Sequence, residues 1–151
     1  MSFQEKNVTV SLANFTLILG FFAIRVIQMI QGGSFEAANI FRLWGITIAL
    51  AVIVTIFATI LTHIFSAIIH AIKTGEEQPT VEGIEDERDK LIDLRGTKLT
   101  YLVFSLGVFL SMLTFVFGQP PLVMFTLLIA SGLVAQVIGD ARRLYLYRRG
   151  F

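Results

Sequence analysis

The chain contains no cysteine. That excludes disulfides, thiolate metal sites, CxxC redox chemistry and a thiol nucleophile, and it leaves the redox compartment unmarked. Only three prolines occur in 151 residues, so long stretches run without the residue that most strongly breaks helices. Charge is scarce too: Asp, Glu, Lys and Arg make up 15% of the chain, and the formal net charge is +1. A soluble domain of this length needs a charged exterior, so the shortage points to lipid as solvent. Signatures of hydrolytic or phosphate chemistry are missing: there is no HExxH, no GxSxG and no phosphate loop. A non-catalytic protein is therefore expected.

What is abundant is apolar surface, at 55% of residues and a mean hydropathy of +0.77. A spanning helix needs about 20 mostly apolar residues. Four runs qualify, at about residues 12–30, 43–72, 99–117 and 122–139, with a polar connector over 73–98. The second run is longer than the hydrocarbon core, so it should tilt, bend or project from the membrane. "QGG" at Gln31 to Gly33 ends the first helix, Ser34 is placed to cap the next, and "GQPP" at Gly118 to Pro121 is a tight turn. The expected fold is a single all-α integral membrane domain over 1–151. Its four transmembrane helices form two hairpins, and a short amphipathic cytoplasmic helix leads into the third span.

Orientation follows from Lys and Arg. With four spans, both termini and the connector share one side. Of the 12 basic residues, that side holds ten: Lys6, Lys73, Arg88, Lys90, Arg95, Lys98, Arg142, Arg143, Arg148 and Arg149. Arg25 and Arg42 make up the other two. The bias predicts a multi-pass protein of the cell inner (plasma) membrane with both termini cytoplasmic. Glu5, eight acids of the middle segment and Asp140 match the ten basic residues in number, so nucleic acid is not an expected partner. Tyr101, Tyr145 and Tyr147 should form an inner aromatic belt, with Trp44 at the outer interface.

The connector ends in "EDERDKLIDLRGTKLTY", Glu85 to Tyr101, and the chain ends in "RRLYLYRRGF". Opposite charges three and four apart, such as Glu85 with Arg88 and Asp86 with Lys90, can pair on a helix surface. The plain reading is a solvated helix that anchors the bundle at the membrane surface. The functional reading is a docking face for a cytoplasmic protein. Asp86, Glu87, Arg88 and Asp89, together with Tyr147, Arg148, Arg149 and Gly150, resemble the motifs of a family of small bacterial four-span membrane proteins. That family has a DERD-type motif before the third span and a YRRG-like end. The resemblance covers the second half by motif and the first half by hydropathy. The family has no established activity. Its members are often encoded beside helix-turn-helix regulators, which implies signalling or stress response. On that basis Asp86, Glu87, Arg88, Asp89, Arg148 and Arg149 are the candidate docking residues.

Polar residues inside spans are costly in lipid and so are informative. Asn14, Arg25 and Gln28 share a side of the first span. Thr55, Thr59, Thr62, His63, Ser66 and His70 fall within about 100° of arc on the second. Both stripes are expected to turn inward and bond across helices. In the fourth span Ser131, Ala135 and Gly139 recur every four residues as a small-residue packing groove. Gln136 beside it is expected to bond across the contact, to the first-span amides. His63 and His70 raise the possibility of haem. They lie some 10 Å apart along one helix and cannot hold one iron from both sides, so a second ligand such as Met29, Met112 or Met124, or a second copy, would be required. No metal site is expected. The leading functional expectation is a non-catalytic signalling, regulatory or accessory protein that engages a cytoplasmic partner or a larger membrane complex. A small oligomeric transporter or channel is the alternative. Against it stands the absence of any Asp or Glu within the four runs. A haem-binding electron carrier is the second alternative.

Overall fold

A computed structural model describes residues 3–74 and 87–149; beyond Leu61 in the second helix it describes side chains only at 64 and 68. Four helices follow in order: α1 Phe3–Gln31, α2 Ala37–Thr74, α3 Glu87–Val116 and α4 Pro121–Arg149. No strand occurs among the described residues. Each helix is long and apolar enough to cross a membrane, and only 6 to 22% of each apolar window is buried within the molecule. The remainder is apolar surface such as Leu17, Leu102, Val116 and Phe117, all more than half exposed. In water such a surface would aggregate; in a bilayer it is the surface that lipid covers. The chain is an all-α four-helix membrane protein.

Helix ends are set locally. At the end of α1 the Ser34 amide donates to the Met29 carbonyl (2.9 Å) and the Gly33 amide to Ile30 (3.4 Å), with Gly33 at φ 66°. At the end of α3 the Gln119 amide donates to Thr114 (3.0 Å) and the Gly118 amide to Phe115 (3.0 Å), with Gly118 at φ 80°. Both are Schellman closures, and both put glycine at a positive φ that strains a residue with a side chain. Ser34 therefore finishes α1 rather than capping α2, which starts three residues later at Ala37. Pro121 opens α4 at the first helical position, where a missing N–H costs nothing.

The helices outrun the expected spans, because backbone hydrogen bonding does not stop where hydropathy falls. The amphipathic lead-in is not a separate helix among the described residues: α3 runs unbroken from Glu87. Likewise α4 continues past Gly139 to Arg149. At 38 residues, α2 is about 57 Å long, well beyond a hydrocarbon core of about 30 Å.

Helix α4 is the centre of the packing. It lies against α3 along most of its length and against α1, which in turn carries α2; α2 and α4 touch only lightly. The α3–α4 seam is close because its residues are small. A Cβ on Gly96, Gly107 or Gly139 would overlap Arg143, Ser131 or Thr100 across the seam. As α3 advances from 96 to 100, α4 falls from 143 to 139, the register of antiparallel neighbours. On the other side Ile18 and Phe22 of α1, Leu43 of α2 and Leu133 of α4 form the buried apolar cluster. Trp44 packs on that cluster and meets Phe125 edge-on at 5.6 Å. It is thus a half-buried link between α2 and α4 rather than only an interfacial marker.

Candidate functional site

The polar centre of the molecule is Asp140, buried in α4 with 3% of its surface exposed. Four hydrogen bonds from three side chains reach it. Ser11 Oγ of α1 donates to Oδ2 at 2.6 Å. Gln136 Nε2, one turn back on α4, lies 3.2 Å from both oxygens. Arg143 Nη1, one turn on, donates to Oδ1 at 2.9 Å. The same guanidinium crosses to α3: Nε donates to Asp93 Oδ1 at 2.9 Å and Nη2 to Thr97 Oγ1 at 2.7 Å. Gly96 makes room, since any side chain there would occupy the space of the Arg143 stem. One buried carboxylate thus ties α1 to α4, and one arginine ties α4 to α3. Burying a charge is tolerable only when it is paired and bonded in this way.

The network lies beside a cavity of about 300 Å³. Asn7, Ser11, Asn14 and Phe15 of α1 line one wall, Thr55, Ala58 and Thr59 of α2 a second, and Asp93, Gln136, Asp140 and Arg143 the third. The cavity fills the gap between α2 and α4, which meet through Trp44 and Phe125 nearer the hairpin turns. Asp140 is 19 residues from Pro121, or about 29 Å along the axis, so the cavity stands near the edge of the hydrocarbon core on the side of the termini.

The expected site residues divide. Asn14 and Thr59 border the cavity, and the Thr59 hydroxyl donates to the Thr55 carbonyl at 2.8 Å. Arg25 and Gln28 do not turn inward. Both are exposed, Arg25 donates to Gln28 Oε1 at 3.2 Å, and its guanidinium lies 6.0 Å from the Phe21 ring. Residues eleven apart return to one side of a helix, but that side of α1 faces the cavity at Asn14 and the exterior at Arg25. The side chains of Thr62, His63, Ser66 and His70 lie outside the described residues, as does Asp86, so neither histidine of the haem reading is among the described side chains. Among the described residues no group of three or more His, Asp or Glu side chains is placed to hold a metal ion.

Gln136 bonds Asp140 rather than the first-span amides. Ser131 and Gly139 sit at the α3 seam, and Ala135 between them is 1% exposed. On the surface, Glu87 and Arg88 are exposed and Asp89 is half-buried. Arg148 reaches towards Glu5 of α1 at 3.8 Å. Arg149 donates to the Tyr145 hydroxyl at 3.2 Å, and that ring also faces Arg142.

Hydropathy ends the fourth span at Gly139 and so leaves Asp140 among the charges of the inner side; its burial is visible only in the structure. A signal was present: Gln136, Asp140 and Arg143 stand four and three apart, the spacing of side chains that meet on one helix face. Comparison with family models, with curated proteins and with solved structures finds no match for the chain.

Proposed function

We propose that the protein is a non-catalytic signalling, regulatory or accessory component of a bacterial inner membrane, with both termini in the cytoplasm, and that its charged inner face docks a protein partner. The observation that carries this reading is a division of labour among the charges. Asp93, Asp140 and Arg143 are spent on joining α1, α3 and α4. Glu87, Arg88 and Lys90 stand exposed on the first turn of α3, beside exposed Leu91 and Leu94. Glu87 is 29 residues from Val116, about 43 Å along the axis, which is beyond a core of about 30 Å. Mixed charge with interspersed leucine is suited to a partner surface of complementary charge. The resemblance to the DERD-type family, with its neighbouring regulators, points the same way.

A photo-crosslinking residue at Arg88 in cells should give one adduct of defined mass. The double change Arg88→Glu, Lys90→Glu, with the crosslinker moved to Glu87, should abolish it without altering protein level or thermal stability. An adduct indifferent to charge reversal would defeat the docking reading.

A small transporter or channel is the second reading, supported by one observation. The four apolar runs hold no Asp or Glu, yet Asp140, next after the fourth, is buried in α4 beside a polar cavity. Flux of a charged solute through proteoliposomes, lost on changing Asp140, would favour it.

A further inference from the structure

The cavity between α2 and α4 has a definite chemical character. Among the described residues that line it, the formal charges are Asp93, Asp140 and Arg143, which sum to −1. Every nitrogen of the guanidinium already has a partner: Nε has Asp93, Nη1 has Asp140 and Nη2 has Thr97. The cation therefore answers one carboxylate charge and leaves the other uncompensated. The remaining polar wall is rich in acceptors. Gln136 commits its amide nitrogen to Asp140, which leaves its carbonyl oxygen as the group to offer. Thr55 and Thr59 donate their protons to the helix carbonyls of Ala51 and Thr55, at 2.6 and 2.8 Å, so their oxygens face the cavity as acceptors. Asp93 uses only Oδ1 in the ion pair, and its side chain is 69% exposed. The α1 wall adds Ser11, whose proton goes to Asp140, and the amides of Asn7 and Asn14, each with an acceptor oxygen and a donor nitrogen; Val8, Val10, Phe15 and Ala58 supply the apolar lining. Acceptor oxygens, net negative charge and an aromatic face together suit a cation that carries N–H donors and a hydrocarbon body. An anion would meet a net negative field there.

We propose that this cavity is a binding site for a small organic ammonium ion, with its head towards Asp140, Gln136 and the α2 threonines and its apolar part towards Val10 and Phe15. The proposal does not depend on partner docking, and either can fail alone.

The probe is phenethylammonium chloride, titrated into the purified full chain in nanodiscs at constant ionic strength. Calorimetry and thermal stability are the readouts. Saturable binding with a rise in melting temperature is expected for the cation. Phenylethanol, phenylpropionate and sodium chloride at the same concentrations should give neither. Thr59→Val removes an acceptor outside the ion network and should keep the fold; it should weaken binding by roughly tenfold if the hydroxyl bonds the charged head. Gln136→Leu should weaken it similarly, whereas Arg25→Gln, at the other end of α1, should leave it unchanged. Equal responses to the neutral and cationic probes, full protection by sodium chloride, or unaltered affinity in folded Thr59→Val would each overturn the proposal.

Discussion

Asp140 has no alternative source of compensation once its partners are removed. Its carboxylate is nine-tenths buried or more, and its neighbours come from two helices. Asp140→Asn keeps the shape but leaves Arg143, itself 13% exposed, with only the exposed Asp93 as counter-charge. Breaking a buried pair from one side should cost roughly 3 kcal/mol. Arg143→Met should cost a similar amount, and the double variant should be far less damaged than the sum, because it leaves no lone buried charge. Asp93→Asn is the contrast: at 69% exposure of that side chain, the loss should stay under about 1 kcal/mol. Reversible unfolding in mixed micelles measures all four. An additive double variant would mean that the two groups do not share one network.

The α3–α4 contact rests on small side chains rather than on apolar content, because lipid is as good a solvent for leucine as another helix is. Ala135 is 1% exposed and Leu127 is 39% exposed. Ala135→Leu must force backbones apart and should lower stability by roughly 1 to 3 kcal/mol, while Leu127→Phe should be tolerated. Gly139→Ala meets Thr100, whereas Gly20→Ala meets nothing within 4 Å. The first should therefore lower the melting temperature in detergent and the second should not. Equal tolerance at 135 and 127 would remove the seam from the account. Loss of a dimer with an intact monomer fold after Ala135→Leu would move it to a contact between copies.

Taken whole, the molecule has a polar end and an apolar end. The inter-helix ion network, the cavity and most of the basic residues gather at the end where the chain begins and finishes. The two hairpin turns, which carry Gly33 and Gly118, occupy the other. With ten of twelve basic residues on the terminal side, a reporter fused after Phe151 should read cytoplasmic and one inserted at Gln119 external. An external signal from the C-terminus would invert the molecule and place the cavity on the opposite face of the membrane.

The sequence by itself determined the class, the number of spans and the turns. Long apolar runs need only length, and the two closures need only a local glycine and, in the second, the prolines after it. The faces by which the helices meet were decided by tertiary structure. A lipid-embedded helix is apolar on nearly every side, so periodicity does not mark its buried face as it does in water. The stripe of Asn14, Arg25 and Gln28 is a single side of α1 by arithmetic, yet α2 and α4 cover it only at Asn14. Asp140 read as a surface charge until Ser11, 129 residues earlier, came within 2.6 Å of it. Contacts of that range depend on how α1 is laid against α4, and no local pattern encodes them.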